Sequence, residues 1–219
     1  NYKNASNCTD IINVSKFEYG KTYKITSTEG LVKLAKAVNS GKVESDTTFV
    51  LMNDIDLSSI DNWTPIGGRN NSFKGSFYGN GHTISNMKIS SSSDDDVGLF
   101  GYCVGVISDI VLKDVDITAK EGYIGGLIGD TYGAKVENIA VSGNILVNFY
   151  SGTVPFVGGL CGYMGNTTID SVNVNINIKS NYDYRVGGIV GANNRGNINN
   201  SYVSGSIIRL NDTTYFGGA

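Results

Sequence analysis

The only imidazole in the chain is His82, in the segment GNGHTI at 79–84. It is the one side chain that could act as a neutral-pH general base. Its place just before an apolar Ile84 fits a polar turn residue equally well. No Ser-His-Asp or Cys-His arrangement follows from the spacing. Asp54 and Asp56 are two apart, so on an extended strand they share one face. Paired carboxylates suit acid–base work or calcium, although surface strands often carry such pairs. Asp94, Asp95 and Asp96 close a serine-rich loop at 90–96, which reads as a solvated insertion or a loose calcium site. Gly79 and Gly81 lack the surrounding βαβ unit of a dinucleotide fingerprint. Cys8, Cys103 and Cys161 have no C-x-x-C spacing and almost no histidine support for zinc. The expectation is a non-enzymatic chain with no catalytic residue, no metal and no cofactor.

The stronger feature is aromatic. There are 13 Tyr, and several of them stand at fixed positions in a repeat. Directly before a recurring glycine motif come Asp96, Tyr123, Phe156, Arg185 and Tyr215. In stacked coils, Tyr123, Phe156, Arg185 and Tyr215 form a column, the candidate ligand-binding residues. Tyr102 and Tyr163 share a second position, just after the closing glycine. Exposed aromatics beside an Arg are what binding surfaces favour. A stacking ladder or inward packing is the competing reading. Val157 and Leu160 are an odd number apart, so spacing leaves the direction of position 156 open.

The repeat that positions these residues has two parts. The first reads VGLFG at 97–101, IGGLIG at 124–129, VGGLCG at 157–162 and VGGIVG at 186–191. Its closing glycines, Gly101, Gly129, Gly162 and Gly191, are 28, 33 and 29 residues apart. The second part reads ISNMKI at 84–89, ISDIVL at 107–112, VENIAV at 136–141, IDSVNV at 169–174 and INNSYV at 198–203. Its first and sixth residues are aliphatic or nearly so in every copy. Spacings of three and then two cannot all face inward on one straight strand. A corner must therefore lie between the first and fourth positions. The third position holds Asn86, Asp109, Asn138, Ser171 or Asn200, mostly residues that tolerate a left-handed backbone. Beyond the corner, Val172, Val174, Ile176 and Ile178 share one face, and Asn173, Asn175 and Asn177 the other.

A unit of this size cannot bury its apolar face alone, but stacked units can. The absence of a helical period within each unit disfavours leucine-rich, ankyrin and tetratricopeptide repeats. The reading is an all-β parallel β-solenoid of five to six coils with a short N-terminal capping helix. Residues 1–22 form a lead-in, with a strand possible in principle at IINV. Residues 23–60 form the cap: a helix within 23–41, with a Thr26/Glu29 capping box and Gly41 as its stop, then a strand at 48–57. Residues 61–219 form the solenoid.

The windows GGLIG, GGLCG and GGIVG resemble the GLUG motif. The preceding stretches STEGLVKLAKAVNSG at 27–41 and NDIDLSSIDNWTPIGG…FKGSFYGNGHTI at 53–84 resemble the segment that usually leads into such repeats. The resemblance covers roughly 24–219. It implies a right-handed parallel β-helix from a bacterial surface or secreted protein. Some members resemble adhesins; others place the repeats ahead of an immunoglobulin-A-protease-type zinc peptidase. That peptidase needs an H-E-x-x-H helix, and this chain has one histidine. The resemblance therefore implies an extracellular adhesive or ligand-binding module, or a passive spacer, with a host or cell-surface protein or glycan as partner. The truncated repeat FGGA at 216–219 suggests a fragment of a longer chain. Seventeen scattered basic residues and a net charge of −3 disfavour nucleic acid. No apolar run is long enough for a membrane helix. Eight N-x-Ser/Thr sequons, including Asn62 and Asn166, are weak evidence for glycosylation.

Overall fold

A computed structural model describes residues 5–93, 95–182 and 185–210. It is a parallel β-solenoid of about six turns with one helix near the N-terminus. One long sheet of twelve strands runs the length of the molecule, and two four-stranded sheets complete the later turns. From Val106 onward each turn places one longer strand in the first sheet, then two short strands on either side of a glycine corner. The strands Val106–Ala119, Lys135–Val147, Thr168–Ser180 and Tyr202–Arg209 stack in parallel.

The corner forms where the sequence requires it. Asn86, Asp109, Asn138, Ser171 and Asn200 all adopt positive φ, from 47° to 60°. The asparagine side chains then tie adjacent turns together. Asn138 Nδ2 donates to Asp109 Oδ1 at 3.1 Å, and Asn200 Nδ2 to Asp170 Oδ1 at 2.9 Å. Beyond the corner the alternation holds: Val172, Val174, Ile176 and Ile178 are buried, and Asn173, Asn175 and Asn177 are exposed. Register stacks Val136, Ile169 and Ile198 into one column.

The glycine motif is explained by contact rather than by flexibility. The two short sheets lie so close that a Cβ on Gly129 would sit 2.6 Å from the backbone of Asp96 and Val97. A Cβ on Gly162 would meet Gly129 O at 2.7 Å and Phe156 O at 2.8 Å. Leu99, Leu127 and Leu160, two residues before each closing glycine, are fully buried, and Leu127 N–H donates to Leu160 O at 3.0 Å. The 33-residue spacing is absorbed outside the core. Val147 and Phe156 are separated by a loop, whereas Ala119 and Gly122 in the preceding turn nearly adjoin.

The N-terminal region differs from expectation in detail. The helix spans Thr28–Asn39, and Tyr23 belongs instead to the strand Thr22–Ile25. The N-cap is Ser27, whose Oγ accepts the Gly30 N–H at 3.2 Å, and not Thr26. Thr26 is taken by Asp10, donating to its Oδ2 at 2.6 Å. Gly41 is the stop, at φ 67°, with Lys42 N–H donating to Ala37 O and Gly41 N–H to Val38 O. That pair of bonds is a Schellman motif. Leu31, Leu34, Ala35 and Val38 are buried. The segment IIN is a 3-10 turn, and the adjoining strand is Thr9–Asp10. The expected strand at 48–57 splits into Thr48–Leu51 and Ile55–Asp56. The interior at this end is aromatic: Phe17, Tyr23, Phe49, Phe73, Phe100 and Phe77 follow one another with ring centroids 5.1–6.2 Å apart. At the opposite end Val203 and Ile207 continue the core columns of Val174 and Ile178, yet are 44% and 53% exposed.

Candidate functional site

The short sheets bring the aromatic column together. Tyr123 pairs in register with Phe156, and Val157 with Val186, so Arg185 follows Phe156. The Tyr123 and Phe156 rings stack at 5.0 Å and 28°. The Arg185 guanidinium lies 4.2 Å from the Phe156 ring centroid. Both rings are half-buried and Arg185 is exposed. Position 156 therefore points away from the core, because the corner between Val157 and Leu160 reverses the parity. Tyr215 lies outside the described residues.

Tyr163 joins from the other short sheet. Its ring meets Tyr123 and Phe156 edge-on, at 5.7 Å from each. In that sheet Asp130 is registered between Tyr102 and Tyr163. Two further residues complete the cluster. Arg69, on the loop after Gly68, lies 4.7 Å from the Tyr123 ring centroid. Its Nη2 is 3.5 Å from Asp96 Oδ1 and 3.4 Å from Asp130 Oδ2. Arg69, Tyr123, Phe156 and Arg185 thus form a continuous cation–ring–ring–cation stack. Neither Arg69 nor Asp130 was singled out by sequence reasoning. Asp130 was accessible, since it occupies the Tyr102/Tyr163 position of the repeat. Arg69 was not, because it lies outside the repeat. Its loop is held by Asn39, which accepts the Gly67 N–H at 2.7 Å.

Asp130 is only 8% exposed. Burial pushes its carboxyl up to about 6, against the opposing pull of Arg69 and the Thr131 N–H. A carboxyl raised above its unfolded value binds more protons folded than unfolded between the two pKa values. Stability from this group is therefore present below about pH 4 and lost as pH rises through about 6. Asp130→Asn should remove that loss. Melting curves of the variant should match wild type at pH 4 and run higher at pH 7.5. The gain is on the order of 2 kcal/mol after allowing for screening from the open side. Equal differences at both pH values would count against a buried, raised Asp130.

The other candidates are dispersed. His82 Nδ1 lies 3.1 Å from Asp54 Oδ1, which also accepts the Thr83 N–H at 2.9 Å. The Thr83 and His82 bonds hold the Asp54 carboxyl below its ordinary value. Asp56 is engaged separately, by Asn86 Nδ2, the Ser58 N–H and the Ser58 hydroxyl, each at 2.9 Å. Each carboxylate thus serves as a turn acceptor with its own partners. Asp94 lies outside the described residues, and Asp96 faces Arg69. Among the described residues no group of three His, Cys, Asp or Glu is placed to hold a metal. Burial pushes the Cys103 thiol up to about 12 and the Cys161 thiol well above its ordinary value, so neither is a ready thiolate. No helix among the described residues is long and apolar enough to cross a membrane.

The family model described as the GLUG motif matches residues 182–208, the last glycine corner and the strand after it. The chain carries the GLUG motif. The GLUG glycines are those that let the short sheets touch. Halomucin of Haloquadratum walsbyi is 30% identical over 150 residues, covering 63% of this chain and 2% of that protein. An immunoglobulin A1 protease of Streptococcus sanguinis is 32% identical over 143 residues, covering 62% of this chain and 7% of that protein. A provisionally named Gly-rich membrane protein of Evansella cellulosilytica is 31% identical over 158 residues, covering 68% and 18%. The chain thus spans a small part of each relative's length. A solved structure of a provisionally named immunoglobulin A1 protease from Bacteroides ovatus shares the fold, with TM-score 0.55 and 17% identity over 95% of this chain and 86% of that one.

Proposed function

We propose that the chain is a non-enzymatic, extracellular binding module of a larger bacterial surface protein. Its partner is a host or cell-surface protein or glycan, and its contact face is built on Tyr123, Phe156 and Arg185. The observation that carries this reading is the convergence of two separate columns, from two sheets, into one half-buried aromatic surface flanked by Arg69 and Arg185. Asp130 adds support. The equivalent positions hold Tyr102, Tyr163 and Ala192, so the coil itself does not need a carboxylate there. The names of the relatives, halomucin, a Gly-rich membrane protein and an immunoglobulin A1 protease, support a surface setting.

A passive spacer is the second reading, and one observation favours it. The faces of Tyr123 and Phe156 are covered by each other and by the two arginines, as in a ladder that only stabilises the coils. Binding of the purified chain to a panel of matrix proteins, mucins and glycans separates the two. The Tyr123→Ala, Phe156→Ala, Arg185→Ala triple variant should lose at least about tenfold in affinity while remaining folded. Undiminished binding by the folded triple variant would move the contact elsewhere. No binding by wild type at high concentration would favour the spacer.

A further inference from the structure

The short sheet of Phe100–Cys103, Ile128–Tyr132, Cys161–Gly165 and Val190–Asn194 carries almost no charge. Its four strands contain a single Asp, Glu, Lys, Arg or His, which is Asp130. That carboxylate is buried and faces Arg69. Tyr132 stands on the outward face of this sheet, 52% exposed. Its register partner in the next turn is Gly165. A Cβ on Gly165 would fall 2.7 Å from Tyr132 Cδ2 and 3.2 Å from Cε2. The missing side chain is thus what lets the Tyr132 ring lie down on the strand. Asn166 Nδ2 donates to Tyr132 Oη at 2.6 Å and pins the far end of the ring. One turn further on, Asn194 Nδ2 donates to Tyr163 Oη at 3.1 Å. Both asparagines are exposed. Each of these bonds uses one amide hydrogen. Both amide carbonyls therefore remain as acceptors, and both phenols keep a hydrogen to donate.

We infer that Tyr132, Asn166, Tyr163 and Asn194 form a platform for a neutral glycan. The open face of an aromatic ring attracts the polarised C–H groups of a sugar through its negative quadrupole. The amides and phenols around it match sugar hydroxyls, which donate and accept alike. An ionised ligand would be desolvated here with no opposite charge to compensate it, so a sulfated polymer fits less well. Successive turns lie about 4.8 Å apart, which brings Asn194 within reach of a sugar seated on Tyr132. A ring already fixed by Gly165 and Asn166 loses little rotamer freedom on binding. The inference deepens the reading above by naming a ligand class, and it rests on that reading only for the existence of a partner. The platform lies beside the Tyr123, Phe156 and Arg185 column, with Tyr163 touching both.

The experiment is affinity electrophoresis of the purified chain through gels containing a β-glucan, a galactomannan, an arabinoxylan or an α-glucan, with heparin as the charged comparison. At least one neutral polymer should retard wild type, and about 0.5 M salt should leave the retardation in place. Tyr132→Ala, an exposed change, should lose at least about tenfold in affinity. Gly165→Ala keeps every polar group but lifts the ring from the strand, and it should weaken binding in the same direction. No retardation by any neutral polymer would overturn the platform. So would retardation by heparin alone, or retardation that survives in folded Tyr132→Ala. The Tyr123→Ala, Phe156→Ala, Arg185→Ala variant separates this inference from the reading above. Glycan binding kept by that variant and lost by Tyr132→Ala supports the platform and moves the contact face off the column. Protein binding lost by that variant, with no neutral glycan bound by wild type, removes the platform and leaves the column standing.

Discussion

Ile169→Asp is expected to abolish folding. Ile169 is fully buried, and it stacks between Val136 below and Ile198 above in the column that precedes each corner. Replacing it removes a large aliphatic side chain, which alone costs about 2–5 kcal/mol. It also places a carboxyl at a fully buried position between two aliphatic side chains. A buried unpaired charge adds several kcal/mol more, even after the group protonates. The sum is comparable to the whole of the usual 5–15 kcal/mol stability of a domain. Circular dichroism should show lost β structure, or the protein should be recovered only as aggregate. The neighbouring outward change Asn173→Asp is the control and should move the melting temperature little. An unchanged melting temperature for Ile169→Asp would falsify the register.

The second large effect lies at the glycine corner. A Cβ on Gly158 would fall on the carbonyl oxygen of Cys161 and lie 2.7 Å from Ile189 O and 2.8 Å from Gly191 N. All three are backbone atoms, one in the same turn and two in the next, so no rotamer change relieves the clash. Gly158→Ala should therefore cost at least about 3 kcal/mol. Gly68→Ala meets nothing within 4 Å and should stay within about 0.5 kcal/mol. Denaturant melts of the two single-methyl variants provide the comparison. Equal midpoints would mean that the GLUG glycines serve something other than close packing.

The parts of the fold that were legible are those set by local chemistry repeated in register. The Asn or Asp at the third motif position announced the left-handed corner, and the alternation from Val172 to Ile178 announced the inward face. The helix stop at Gly41 was equally plain. The N-cap was not, because Thr26 and Ser27 are both good caps and only the distant Asp10 decides between them. The direction of Phe156 was hidden for a related reason. Its parity depends on a corner between Val157 and Leu160 that glycine alone does not locate. In the candidate site the column of Tyr123, Phe156 and Arg185 followed from repeat arithmetic. Arg69 could not, since a non-repeated loop sets it and Asn39, on the capping helix, holds that loop. Asp130 could have been read, but only by asking which residue separates Tyr102 from Tyr163.

The stacking of whole turns has a mechanical consequence. The strands Lys135–Val147 and Thr168–Ser180 are joined through 12 register pairs, and both short sheets bridge the same two turns. All of these bonds point along the long axis of the solenoid. Tension between its two ends is therefore shared at once by the three sheets at each junction of the later turns, and no single strand carries it there. Failure at one junction releases a coil of 29 residues, as between Gly162 and Gly191, roughly 100 Å of slack. The neighbouring coils keep their own contacts. A tether built this way yields in instalments, each lengthening the chain while the remainder still holds.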